Sequence, residues 1–143
     1  MDKPIEFIHE PVPGLNTALG AGIHKFLAGL KRGVASLRHN WGLARSPELN
    51  HHPDRGLPRL DASVSESEVW VRVEHQALIA LPKAQGILFG IRVKNHPLAE
   101  VRIDELAATR LRHALETMPD EMARYKGLSN ARRRVLELLS PLA

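Results

Sequence analysis

The sequence predicts an α+β fold, a central strand pair flanked by helices, on three observations. The stretch Val69 to Val93, VWVRVEHQALIALPKAQGILFGIRV, has the alternation and apolar runs of two adjacent strands around a tight turn. Leu19, Ile23, Phe26, Leu27 and Leu30 recur at helical spacing before it; Ile103, Leu106, Ala107, Leu111, Ala114, Leu115 and Met118 do so after it. A chain of 143 residues with 43% hydrophobic side chains is one domain's worth, 1–143, and can bury a core. Aromatics make up only 4%, so aliphatic side chains must fill it.

Pro4 to Ile8 is a short apolar segment of strand character. It runs into His9-Glu10-Pro11-Val12-Pro13-Gly14, where two prolines fix φ and push Glu10 and Val12 towards extended geometry. So stiff a loop can hold the His9 imidazole in place. On spacing alone, a plain connector with a surface histidine is the simpler reading. Asn16 or Thr17 can N-cap the first helix. Gly20, Gly22 and Gly29 weaken it by up to about 1 kcal/mol each relative to alanine, so it depends on packing. Lys31-Arg32 suits its C-terminus, and Gly33 ends it.

Val34 to Leu43 contains Arg38-His39-Asn40-Trp41. Trp41 reads as a core anchor. The Arg38 guanidinium can grip a carboxylate through two hydrogen bonds, or simply form a surface salt bridge. Ser46 to Ser67 holds Pro47, Pro53, Gly56 and Pro58 with few apolar residues, and reads as a flexible loop over 46–67. His51 and His52 are adjacent, a poor spacing for sharing one metal on a helix, and read as solvent-exposed.

In the strand pair, Val69, Val71 and Val73 alternate with Trp70, Arg72 and Glu74. Ala77 to Leu81 and Ile87 to Val93 are nearly all apolar, joined by the turn Pro82-Lys83-Ala84-Gln85-Gly86. Strands apolar on both sides are covered on both faces. One cover is helix; the other is a second layer, a partner or a bound apolar ligand. Glu74 stands among apolar flanks. Facing a pocket, it could bind a cationic amine or change protonation state through desolvation; in water it is an ordinary edge-strand glutamate. Asn95-His96-Pro97 reads as a turn, and Pro119 breaks the following helix. Asp120 to Arg124 forms one further turn, Gly127 is a C-cap, and Ser129 N-caps a last helix with Ala131, Val135, Leu138 and Leu139 inward.

Cysteine is absent, which removes disulfides, thiolate ligands and a cysteine nucleophile, and fits a reducing, cytoplasmic setting. No apolar run approaches the roughly 20 residues of a membrane span, and Met1-Asp2-Lys3-Pro4 lacks a signal-peptide pattern. The net charge is +4, and its dense spots, Lys31-Arg32 and Arg132-Arg133-Arg134, have no interleaved aromatics. Neither nucleic acid nor a membrane is an expected partner. The sequence contains no nucleophile elbow, zincin helix, phosphate loop or dinucleotide fingerprint. With eight histidines and no cysteine, a haem iron here would need a histidine ligand.

The run Val71-Arg72-Val73-Glu74-His75-Gln76-Ala77-Leu78, then Leu81-Pro82, then Gly86-Ile87-Leu88-Phe89-Gly90-Ile91-Arg92, resembles the signature of the haem-dependent oxidative N-demethylases, R-x-E-R-Q-T-L-x-x-L-P-x-x-G followed by F-x-I-R. Arg72, Glu74, Gln76, Leu78, Leu81, Pro82, Gly86, Phe89, Ile91 and Arg92 fit; His75 replaces an arginine and Ala77 a threonine. Ile8-His9-Glu10-Pro11-Val12-Pro13-Gly14, Arg38-His39-Asn40-Trp41 and Tyr125-Lys126-Gly127 are similar to further motifs of the family, in the same order. The resemblance covers about Pro4 to Leu139 and implies a PAS-like curved antiparallel sheet flanked by helices, holding haem b. It implies oxidative removal of a methyl group from small secondary amines such as dimethylamine, using O2 and electrons from a flavin/iron–sulfur reductase. It makes His9 the first choice of axial iron ligand and His75 the second. Arg38, Arg72 and His75 become cofactor contacts, and Glu74 the catalytic candidate. It further implies an N-terminal region ahead of the His9 motif, so that this chain reads as shortened. The alternatives are a PAS-like ligand-binding module without catalysis and a degenerate structural or interaction domain.

Overall fold

The computed structural model of the chain describes residues 13–81, 83–84 and 86–140, the side chains of 15–19 and 53 excepted. The strand expected at Pro4 to Ile8 lies outside them. Among the described residues the order is α1 (Leu15–Ala28), β1 (Ala35–Ala44), β2 (Trp70–Leu81), β3 (Gly86–Pro97), α2 (Leu98–Ile103), α3 (Glu105–Thr117), α4 (Asp120–Tyr125) and α5 (Arg132–Leu138). The strands form one antiparallel sheet in the order β1-β2-β3. The fold class is therefore α+β, as expected.

Several boundaries differ from the sequence reading, each for a local reason. Helix α1 starts at Leu15, after Gly14 at φ 66°, and not behind Asn16 or Thr17. It stops at Ala28, with Gly33 at φ 72° turning the chain a few residues later. The Arg38-His39-Asn40-Trp41 segment is strand β1. Strand β3 continues through Asn95 and His96 to Pro97, where a turn was expected. Asn95 Nδ2 donates to the Pro47 carbonyl at 2.6 Å, which holds that end of the strand. The helix expected around 103–118 is two helices. Asp104 leaves the helical region, and its Oδ1 accepts from the Ala107 amide at 3.0 Å, capping α3. Ile103 and Leu106 flank this break and are exposed. Gly127, at φ 70°, ends α4 as expected. The last helix begins at Arg132, with Ala131 as its cap in place of Ser129, while Ala131, Val135 and Leu139 are buried.

The described residues of Trp41–Val73 and Val93–Ala143 form one compact unit, and those of Met1–Asn40 and Glu74–Arg92 form another. The first of these contains the hydrophobic core. Val69 and Val71 pack with Leu98, Leu111, Leu115, Leu128 and Val135, and Trp41, Leu43 and Val73 border the cluster. Lys126 Nζ donates to the Trp41 carbonyl at 2.7 Å and lies 5.3 Å from the centre of its ring. The 46–67 segment is tied to this core. Leu60 and Val64 are buried in it, and Arg134 Nε donates to the Val64 carbonyl at 3.0 Å. Arg45 grips both ends of a short stretch, with Nη1 at 2.7 Å from Asp61 and Nη2 at 2.7 Å from Glu68.

The unit built from Met1–Asn40 and Glu74–Arg92 is different. Among its described side chains, only Gln76 and Leu78 are buried. Phe26, Val34, Leu37, Leu81, Ile87, Leu88, Phe89 and Ile91 are all exposed, by 39 to 72%. Here the apolar runs of β2 and β3 do not close on a core of described residues.

Candidate functional site

The candidate site lies in this second unit, and strand register assembles it. Arg38 meets Gln76, Asn40 meets Glu74, and His39 meets His75 across β1 and β2. In an antiparallel pair, alternate residues face opposite sides. Arg38, Asn40, Glu74 and Gln76 therefore share one face, and His39 and His75 share the other. The Arg38 guanidinium carbon lies 5.5 Å from the centre of the Phe89 ring, which puts Phe89, and with it Ile87 and Ile91, on the arginine face.

On that face the polar side chains form a chain. Arg38 Nε donates to Gln76 Oε1 at 2.5 Å. Gln76 Nε2 donates to Glu74 Oε2 at 2.8 Å, and Asn40 Nδ2 reaches the same oxygen at 3.4 Å. Gln76 is only 6% exposed and uses both ends of its amide. It fixes a cation and an anion in one array beside an apolar stripe. The guanidinium and carboxylate can meet the two ends of a ligand of mixed charge, and the stripe can cover a flat apolar body.

The other face carries the histidines. The His39 and His75 rings are 4.8 Å apart at an interplanar angle of 84°. They line a shallow depression of about 440 Å³ with Leu37, Ala77, Gly90 and Arg92, to which Arg38, Gln76 and Ile91 also contribute. The structure thus brings Arg38 and Glu74 together and puts His75 on the opposite side of the sheet. Arg72 belongs to the core-containing unit, where its guanidinium donates to the Leu49 carbonyl at 3.0 Å. His9, the first choice of iron ligand, lies outside the described residues. Among the described residues no group of three or more His, Asp or Glu is placed to hold a metal ion, and no helix is long and apolar enough to cross a membrane.

Gln76 is the residue that sequence reasoning undervalued. It appeared only as a position fitting a motif. The available signal was its i+2 spacing from Glu74 in a strand, which places both on one face.

Residues 1–136 match the sequence pattern of the family described as haem-dependent oxidative N-demethylase, alpha subunit-like. The chain belongs to this family. Among the described residues, the parts of the demethylase-like signature that converge are Arg38, Glu74, Gln76 and Phe89, all held by the β1-β2-β3 sheet. The residues present suit a haem group in kind: a half-exposed apolar stripe for a porphyrin face and a fixed guanidinium for a carboxylate side chain.

Proposed function

We propose that this chain is a PAS-like haem b domain that supports oxidative N-demethylation of a small secondary amine. The observation that carries the reading is the unit with almost no core of described residues. Its exposed Ile87, Phe89 and Ile91 lie beside a guanidinium and a carboxylate locked in place by Gln76. Exposed apolar side chains in such a cluster mark a ligand or partner surface.

In this reading Arg38 pairs with a haem propionate, because its planar fork matches a carboxylate. Glu74 receives the ammonium of the amine and orients the methyl group to be oxidised. Gln76 keeps both groups from turning towards each other or into solvent. Ile87, Phe89 and Ile91 exclude water from the porphyrin face. His9 is the histidine that would hold the iron. When bound, haem supplies the oxidation: one atom of O2 enters the N-methyl C–H bond, the other leaves as water with two electrons and two protons from a flavin/iron–sulfur reductase, and the carbinolamine splits into formaldehyde and the primary amine. The setting we assign is the reducing cytoplasm, where such a reductase works.

Titration of the purified protein with hemin tests the reading. Saturable binding with a Soret band is expected, weakened by Arg38→Ala and spectrally altered by His9→Ala. Formaldehyde release from dimethylamine, O2 and a reductant should require Glu74. A protein that takes up no hemin would overturn the proposal.

A further inference from the structure

The imidazoles of His39 and His75 sit directly across β1 and β2 on the face away from Arg38 and Glu74. We infer that they form a second, independent ligand site, a two-histidine chelate for a late first-row divalent ion. The geometry carries this. Two imidazoles bound cis to one ion at about 2.0–2.1 Å bring their ring centres to roughly 4.5–5.5 Å from each other. The observed separation is 4.8 Å, with the ring planes at 84°. The ring centres are therefore already at a separation that a shared ion allows.

Position on the sheet supports this reading. Side chains directly opposite on antiparallel strands have Cβ atoms about 4.5–5.5 Å apart and cannot drift apart without breaking the ladder. The surroundings leave room for water on the ion. Gly90 and Ala77 are small, and a Cβ built on Gly90 would meet nothing within 4 Å. Two nitrogens with the remaining positions filled by water suit a tetragonal ion, and the affinity order of such ligands favours Cu²⁺ over Ni²⁺. Arg92, which lines the same depression, opposes the ion by like-charge repulsion. The inference does not depend on haem being bound.

The test is calorimetric titration of the apoprotein with CuCl2 and NiCl2, joined to electron paramagnetic resonance of the copper form. One site is expected, with copper bound more tightly than nickel and a spectrum showing two equivalent nitrogen donors. His39→Gln and His75→Gln should each weaken copper binding at least tenfold and leave one such nitrogen. Arg92→Gln should tighten it severalfold. Both histidines are at least partly exposed, so folding of the variants is checked by their unfolding midpoints. Equal copper affinity in wild type, His39→Gln and His75→Gln would overturn the inference, whatever the outcome with hemin.

Discussion

Gln76 shows what a single buried amide can organise. Each of its hydrogen bonds goes to a charged group, Arg38 on one side and Glu74 on the other. Such bonds contribute more than neutral ones, and removing one partner leaves the others to be resolvated. Gln76→Leu should lower unfolding stability by about 1–3 kcal/mol, measured by urea denaturation. It should also weaken hemin affinity, since Arg38 loses its anchor. Stability lost with hemin affinity unchanged would place Arg38 outside the cofactor site. The residue types of this array were legible in the sequence, because Arg38 and Glu74 fell in motif-like segments. Their partnership was not legible. It depends on β1 and β2 pairing so that 38 meets 76, and register between strands separated by 25 residues is a tertiary fact.

At the scale of elements, the 46–67 segment makes contacts that its composition does not reveal. Its prolines, glycine and scarce apolar residues read as a flexible loop, yet two of those apolar residues, Leu60 and Val64, reach the core. Arg45 then binds Asp61 and Glu68. The Glu68 carboxyl is drawn down from its ordinary 4.5 to about 2, first by the Ser65 amide and then by Arg45 and the Ser65 hydroxyl. Asp61 is lowered too, by the Ser63 hydroxyl and amide and by Arg45. Between pH 4.5 and 2 the unfolded chain therefore binds more protons than the folded one. Their stabilisation is complete above pH 4.5 and is lost as pH falls towards 2. Urea midpoints should drop across that window, and Glu68→Gln should flatten the drop while lowering the midpoint at neutral pH. Strand β1 was missed for a related reason. His39 interrupts the apolar side of its alternation, and Leu37 on that side is exposed. The helix split at Asp104 was hidden because the apolar spacing runs on through Ile103 and Leu106, which turn out to face solvent.

At the scale of the whole molecule, apolar side chains are distributed unevenly. The unit containing α2 to α5 has a core rich in valines and leucines, of which the helical periodicities forecast Leu111, Leu115, Val135 and Leu139. The unit containing the candidate site has the most hydrophobic strands of the chain and almost no interior of described residues. The sequence reading anticipated this tension by asking what covers the second side of the strand pair. Among the described residues β3 is an edge strand, and residues 86–91 carry no charge and no proline to discourage pairing with other chains.

That edge bears on how the protein is made in a cell. A nascent chain that meets no prosthetic group would offer Ile87 to Ile91 to its neighbours and settle into inclusion bodies. Supplying a haem precursor to the growth medium should shift the product towards the soluble fraction, and heating curves of the recovered protein should rise with hemin concentration.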